Sequence, residues 1–529
     1  MAGRGLARSA GLTGAATLAS RLLGLARDQV LAAVFGAGNQ MDAFVVAFRV
    51  PNLVRDLFAE GALSAAFVPA FTRRLATHGR VDAWRLGNSI LNTLALTTGV
   101  LVVAGIVFAE PIVTLLAGDF AEVPGKLELT ISLTRIVLPF LMLAALAAAV
   151  MGMLNSLHYY FVPALAPATF NVATIVAAVI GVPLVAQFGE PAIMAIALAA
   201  LAGGALQIAL QWPSLRGEGF RYAPVIDTSH PELRRVLLLM GPGALGLAAT
   251  QLNLFINTLL ATSLGTGAVS WLSYAFRLMY LPIGLFGVSI ATAVLPLAAS
   301  HAVQDDRPAI RATLSRGLGL MLMLNVPASV GLIVLATPIV RVLFERGAFG
   351  SIDTAGTAVA VQMYAVGLVG YATARIASPV FYALGKSRVP VAISIAAVLI
   401  NTVASVALVR LIGFRGLPLG TAIGALAHGG LALWLLRSQL GGIDGSSLLW
   451  RFLRIAIAAA IMGGVAIAID SSLPTLFPGD ALLVQILRLT VSIAGALAAL
   501  AGAATLLRVP ELGEAIAMLQ ARARGTSSA

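Results

Sequence analysis

LNTLALTTGVLVVAGIVFA, residues 91–109, contains no charged side chain, and a helix built from it is long enough to cross the roughly 30 Å hydrocarbon core of a bilayer. Runs of the same kind recur as far as residue 507. Hydrophobic residues make up 59% of the 529 and charged residues 11%, with a mean hydropathy of +0.96. A soluble domain carries about 25% charged residues and needs them to stay dissolved. The chain therefore reads as an all-α integral membrane protein, because a helix satisfies its own backbone in lipid. Segmentation by hydropathy gives about fourteen spans: 11–36, 40–72, 86–109, 128–154, 161–186, 191–213, 234–263, 268–299, 313–338, 354–384, 389–409, 416–436, 452–472 and 482–507.

The net charge of +12 and pI near 10.9 raise the question of nucleic acid, which the placement of the basic residues answers. About 21 of the 34 fall on one side of the segmented chain, among them Arg73, Arg74, Arg80, Arg85, Arg307 and Arg311, against about five on the other. That is the positive-inside bias. Both termini are expected in the cytoplasm, and no nucleic acid is expected as a partner. The absence of Cys excludes a disulfide framework, a zinc–thiolate site and an iron–sulfur cluster, and five scattered His do not suggest a metal. Arg4 and Arg8 precede a Gly/Ala-rich stretch, but Arg21, Arg27 and Asp28 interrupt it and no cleavage site follows, so the first span is read as retained. The longest polar loop, 214–235, is too short for an independent core.

An internal repeat is visible. FGAGNQMDAFVVAFR, ending at Arg49, resembles LGTGAVSWLSYAFR, ending at Arg277, and AFVP ending at Pro69 matches AVLP ending at Pro296. An offset near 228 residues spans an even number of helices, so the two halves keep the same orientation. The expected organisation is a first lobe of six helices over 1–215, a second of six over 216–440, and two additional helices with a short cytoplasmic tail over 441–529.

The first two spans hold Arg21, Arg27, Asp28, Asp42, Arg49, Arg55, Asp56 and Glu60, whereas most later spans hold no charge. An ionised side chain at the bilayer centre costs about 2.5–3.5 kcal/mol, so these groups are expected to face an internal hydrated cavity. On a helix, Arg21 and Asp28 share a face, as do Asp42 with Arg49 and Arg49 with Asp56, each pair seven residues apart, and Asp56 lies one turn from Glu60. Arg27, Asp28 and Asp56 are read two ways, as structural ion pairs or as cavity residues; Asp28, Arg49 and Asp56 are the gate or ion-pair candidates. Arg21, Arg55 and Arg277 are read as binding residues, since the arginine fork pairs with phosphate oxygens and stays charged at any relevant pH. Pro51, with Pro282, Gly284 and Gly287 in the matching helix, marks bendable segments. Arg135, Arg375 and Arg488 are the remaining deep or near-interface basic residues, while Asn171, Gln207, Asn253, Asn257 and Asn401 read as interhelical hydrogen bonds. No Walker loop, HExxH, nucleophile arrangement or Asp-rich cluster occurs, so an enzyme is not indicated.

The stretch SRLLGLARDQVLAAVFGAGNQMDAFVVAFRVPNLVRDLFAEGALSAAFVPAF, residues 20–71, resembles the signature of the MurJ (MviN) family, through its ARD, MDAF, PNL.R and FAEGALS..FVP elements in order. The likeness continues through VSWLSYAFRLMYLP and FYALGKSRVP. The resemblance implies the fold of the multidrug/oligosaccharidyl-lipid/polysaccharide exporter superfamily, with a groove for a polyprenyl tail at the last two helices. It implies a flippase for lipid II in peptidoglycan synthesis, in the bacterial inner membrane, with no cofactor and a dependence on membrane potential. Membrane lipids and cell-wall synthesis or division machinery are the implied partners. It also implies that Arg21, Arg27, Asp42, Arg55, Glu60 and Arg277 are substrate-binding cavity residues. This sequence departs from the pattern where Asp56 replaces a basic residue and Phe276 an acidic one, and spans 7, 8, 10 and 11 hold no acid for a sodium site. The alternatives are a flippase for another polyprenyl-linked oligosaccharide or a cation-coupled drug exporter of the same superfamily and, in other classes, a membrane scaffold or a polyprenyl-phosphate enzyme.

Overall fold

Apolar runs of this length leave the backbone one economical solution, and the chain adopts it throughout. The computed structural model describes residues 2–56, 63–227 and 231–514, and every regular element among them is helical. Two units emerge, Met1–Ser270 with Arg346–Phe349, and Trp271–Glu345 with Gly350–Ala529. The first holds α1 (Ala2–Phe35), α2 (Asn39–Arg55), α3 (Ser64–Val107), α4 (Ala109–Ala117), α5 (Lys126–Val137), α6 (Phe140–Ser156), α7 (Phe161–Val176), α8 (Val182–Ala186), α9 (Met194–Gly217) and α10 (Pro231–Thr262). Helix α11 (Ala268–Pro282) begins in the first unit and continues into the second. The second adds α12 (Val288–Val303), α13 (Arg307–Val334), α14 (Ala336–Phe344), α15 (Ser351–Val366), α16 (Leu368–Ala383), α17 (Arg388–Ile412), α18 (Gly416–Leu440), α19 (Gly445–Leu476) and α20 (Leu482–Leu506).

Among the described residues eight helical stretches are long and apolar enough to cross a membrane, one of them, Arg388–Leu440, being the α17–α18 hairpin. A ninth, α15 with α16, is bent by 43° at Gly367. Stretches 11–36, 40–72, 234–263 and 268–299 are also helical where described, but are not among these. The basic stretch 73–85, expected as a loop, is helical on both sides of Gly79, where a φ of +79° turns the chain. That left-handed geometry suits glycine.

The core of the first unit lies between α3 and α6, around Phe67, Phe71, Trp84 and Met153. That of the second is built on α13, whose Leu318, Met321 and Val326 meet Ile376, Phe381, Ile455 and Met462. Glycines set the closest approaches. Gly416, Gly420 and Gly424 form one face of α18 against α17, and a Cβ at Gly424 would lie 2.6 Å from that of Asn401. The other face carries Gly429, packed on Gly370 of α16. Gly420 touches the Ser405 backbone, with 2.6 Å between an added Cβ and the Ser405 Cα. Gly420→Leu is therefore expected to cost about 3 kcal/mol by overpacking and to lower the unfolding midpoint in detergent. Gly430→Leu on the same helix, where nothing lies within 4 Å, is the control and is expected to leave it unchanged.

Of the 214–235 connection, residues 218–227 form a strap laid along α3 rather than a loose loop. Asn88 donates to the Arg221 carbonyl and accepts from the Ala223 amide, both at 3.0 Å, and Asn92 donates to the carbonyls of Ala223 and Val225. Arg85 pairs with Asp227 at 2.9 Å, and Phe220 inserts between Trp84 and Trp212. Tyr159 donates to Glu218 at 2.7 Å; that hydrogen bond to a carboxylate raises the phenol above its ordinary pKa.

Candidate functional site

Arg27 occupies the middle of the α1–α7 contact. Its Nε and Nη2 both donate to one oxygen of Asp28, at 3.1 and 2.8 Å, and its Nη1 donates to Asn171 of α7 at 3.0 Å. The guanidinium carbon lies 5.4 Å from the Phe170 ring centroid, a cation–π distance. Asn171 is itself held by donating to the Ser20 carbonyl at 3.1 Å, and Gly24 leaves its amide room on α1. Side-chain exposures of 15% for Arg27 and 7% for Asp28 show a fork fixed in place with part of its surface open.

Arg55 repeats the motif at the end of α2. Its Nε and Nη2 donate to one oxygen of Asp56 at 3.1 and 2.8 Å, and Gln251 of α10 donates to the other at 3.4 Å. Here both partners keep more than a quarter of their side-chain surface. Arg27–Asp28 and Arg55–Asp56 are thus pairs of sequence neighbours. Neighbouring Cβ atoms diverge by about 100°, but the long arginine stem folds back around the helix and closes the gap. Arg21 is exposed on α1 and Arg49 is half-buried on α2. Glu60 lies outside the described residues.

Asp42, expected among the cavity residues, sits in a buried network of its own. It is fully buried, and its carboxylate accepts from Lys126 Nζ at 2.9 Å, the Gly267 amide at 2.7 Å, the Ser270 amide at 3.1 Å and the Ser270 hydroxyl at 2.7 Å. The acid therefore caps the start of α11, where unsatisfied amides and the helix dipole favour a negative charge. Lys126, which falls between the segmented spans 86–109 and 128–154, begins α5 and is 3% exposed, its amine 4.0 Å from the Phe120 ring centroid. Lone spacing gave no signal for this pair, because its members are 84 residues apart.

In the second unit Arg277 is exposed on α11, and Arg375 of α16 donates to the Tyr280 hydroxyl at 2.8 Å. Arg135 is exposed, and Arg488 donates to the carbonyls of Phe477 and Gly479 at the end of α19. Sequence reasoning treated Asn171 only as interhelical glue; its place as a holder of Arg27 needed the fold.

Chemically, Arg27 and Arg55 are oriented, permanently charged forks on α1 and α2, suited to a phosphate-bearing lipid. The family profile described as "Lipid II flippase MurJ" matches residues 31–486. The lipid II flippase MurJ of Burkholderia cenocepacia is 36% identical over 457 residues, covering 85% of this chain and 87% of that one. A probable lipid II flippase MurJ of Bdellovibrio bacteriovorus is 34% identical over 459 residues, covering 86% of each. Among solved structures, a lipid II flippase MurJ in an inward closed conformation superposes with a TM-score of 0.76 at 26% identity, over 94% of this chain and 99% of that one. An inward-facing multidrug resistance MATE transporter superposes at 0.68 and 16% identity over 81% and 96%, which speaks for a shared fold alone. Matched along most of its length by profile, sequence and structure, the chain belongs to the MurJ family of lipid II flippases.

Proposed function

We propose that this protein carries lipid II from the cytoplasmic to the periplasmic leaflet of a bacterial inner membrane by alternating access. The observation that carries the reading is the Arg27 fork, fixed by Asp28 and Asn171 within an apolar helix pair and still partly open. Arg27, Arg55, Arg21 and Arg277 bind the diphosphate, and the polyprenyl tail remains in the hydrocarbon along the last two helices. Asp28 and Asp56 orient the forks and lower the cost of holding them in the membrane. The termini are cytoplasmic, as the distribution of basic loops supports. No resident cofactor takes part; the membrane potential supplies drive, since one charge moved through 100 mV is worth about 2.3 kcal/mol. Cell-wall synthesis or division machinery supplies or receives the lipid.

Expression of this chain in cells depleted of their own lipid II flippase is expected to restore growth and outer-leaflet exposure of the lipid II headgroup. Arg55→Ala and Arg277→Ala, expressed to the same level, are expected to lose the exposure. Normal headgroup exposure with either variant removes that arginine from the assignment, and failure of the unaltered chain to rescue removes the function.

A further inference from the structure

The second unit holds a cavity of mixed charge that the Arg27 and Arg55 forks do not explain. Past the end of α20 the chain turns at Arg508, with a φ of +51°, and Val509 and Leu512 pack into the core built on α13. That anchorage brings Glu511 against α13, where only 5% of it is exposed. Gly319 leaves the space, since a Cβ there would stand 2.8 Å from Glu511 Oε1. Neither carboxylate oxygen of Glu511 accepts a hydrogen bond. Arg451 of α19 comes within 3.4 Å of Oε1, an ion contact without hydrogen-bond geometry.

Glu511 lines a cavity of about 490 Å³ together with Ser315, Arg316, Asp444, Arg451 and Glu514. That volume falls within the range of about 300–1,000 Å³ usual for small-ligand sites. At Arg316 and Glu514, which pair at 3.1 Å, it adjoins a second cavity of about 510 Å³ with an apolar wall, Ile290, Val294 and Leu297 of α12 and Leu320 of α13. Both cavities lie within the second unit. Trp450, exposed beside Arg451, carries the Arg454 guanidinium 5.7 Å from its ring centroid, a pairing suited to headgroup depth.

The order of these surfaces selects the ligand. A buried carboxylate without donors is costly and calls for N–H groups, Arg316 and Arg451 offer N–H groups to an oxyanion, and the adjoining wall takes hydrocarbon. A metal ion would use the carboxylate alone, and among the described residues no three acids or histidines stand close enough to hold one. A lysine-bearing peptide leaves the apolar wall bare. An anionic phospholipid meets the arginines but brings no donor to Glu511, and a choline headgroup carries no N–H. A phospholipid with a primary ammonium supplies ammonium, phosphate and acyl chain in the same sequence.

We propose that this cavity holds the headgroup of an aminophospholipid of the phosphatidylethanolamine type, its ammonium on Glu511, its phosphate on Arg316 and Arg451, and one acyl chain along α12. The lipid is resident and separate from the transported cargo, and the inference does not rest on the identity of that cargo. Titration of the purified full-length chain with dioleoyl phosphatidylethanolamine, phosphatidylcholine and phosphatidylglycerol, read by native mass spectrometry, tests it. The ethanolamine lipid is expected to bind about tenfold tighter than either of the others, the scale of one charged hydrogen bond. Glu511→Gln is expected to bring the ethanolamine lipid down to the level of the choline lipid. Arg316→Gln is expected to weaken both by a similar factor of about three, the scale of one exposed charge. Gly319→Ala keeps every charge and crowds Oε1; it is expected to lose the preference as well, and carries the comparison if Glu511→Gln does not fold. Equal affinity of the unaltered chain for the ethanolamine and choline lipids overturns the inference, as does tighter binding of phosphatidylglycerol. A preference that survives Glu511→Gln or Gly319→Ala takes the ammonium off Glu511 and overturns it too.

Discussion

Lys126→Met is expected to destabilise the protein by about 3–5 kcal/mol, the scale of an ion pair broken in a dry interior. The substitution removes the only cation found on Asp42 among the described residues, a side chain with no measurable exposure, and replaces it with an apolar group of similar length. The carboxylate then depends on two amides and one hydroxyl. The expected readout is a lowered unfolding midpoint in detergent. Adding Asp42→Asn is expected to recover more than half of the loss, because the buried charge disappears while an acceptor for the α11 amides remains. A single variant as stable as the parent would show that the pair contributes nothing.

Arg27→Ala is expected to reduce lipid II transport about a hundredfold. Truncating one member of a hydrogen-bonded, largely buried charge pair costs about 2–5 kcal/mol, and 2.7 kcal/mol corresponds to two decades of rate. The change removes the fork and leaves Asp28, 7% exposed, without the guanidinium that bonds it. Arg27→Lys is expected to restore little, because an ammonium is a point charge and cannot hold Asp28, Asn171 and a phosphate oxygen in one plane. Asn171→Leu keeps Asp28 as an anchor and is expected to lose about tenfold, one charge-assisted hydrogen bond. Appearance of the headgroup in the outer leaflet of reconstituted vesicles measures all three. Parent-like transport by Arg27→Lys would show that charge alone suffices.

The spans were legible because twenty apolar residues in a row have no soluble alternative, and the concentration of charge in the first two was legible for the same reason. Partners were less so. Periodicity places Cβ atoms, and Arg27 and Arg55 reach their acids with side chains longer than the angular gap that spacing measures. Lys126 looked like a loop residue because it follows Gly125 and an acidic turn; only the packing of α5 against α2 turns it inward. The stretch 73–85 looked like a loop because it is basic, yet only Gly79 leaves the helix. The strap on α3 depended on Asn88 and Asn92, whose amides are read as backbone clamps only once the segment 221–225 lies beside them.

Asp42 and Ser270 stand 228 residues apart, the offset that also separates Arg49 from Arg277, each in a helix that begins directly after a glycine, Gly38 or Gly267. Two aspartates at these places would repel across a dry contact, and two serines would leave no anion for the waiting amides. The corner held by Asp42, Ser270 and Lys126 therefore has to be asymmetric, one stretch of the repeat supplying the acid and the other the hydroxyl.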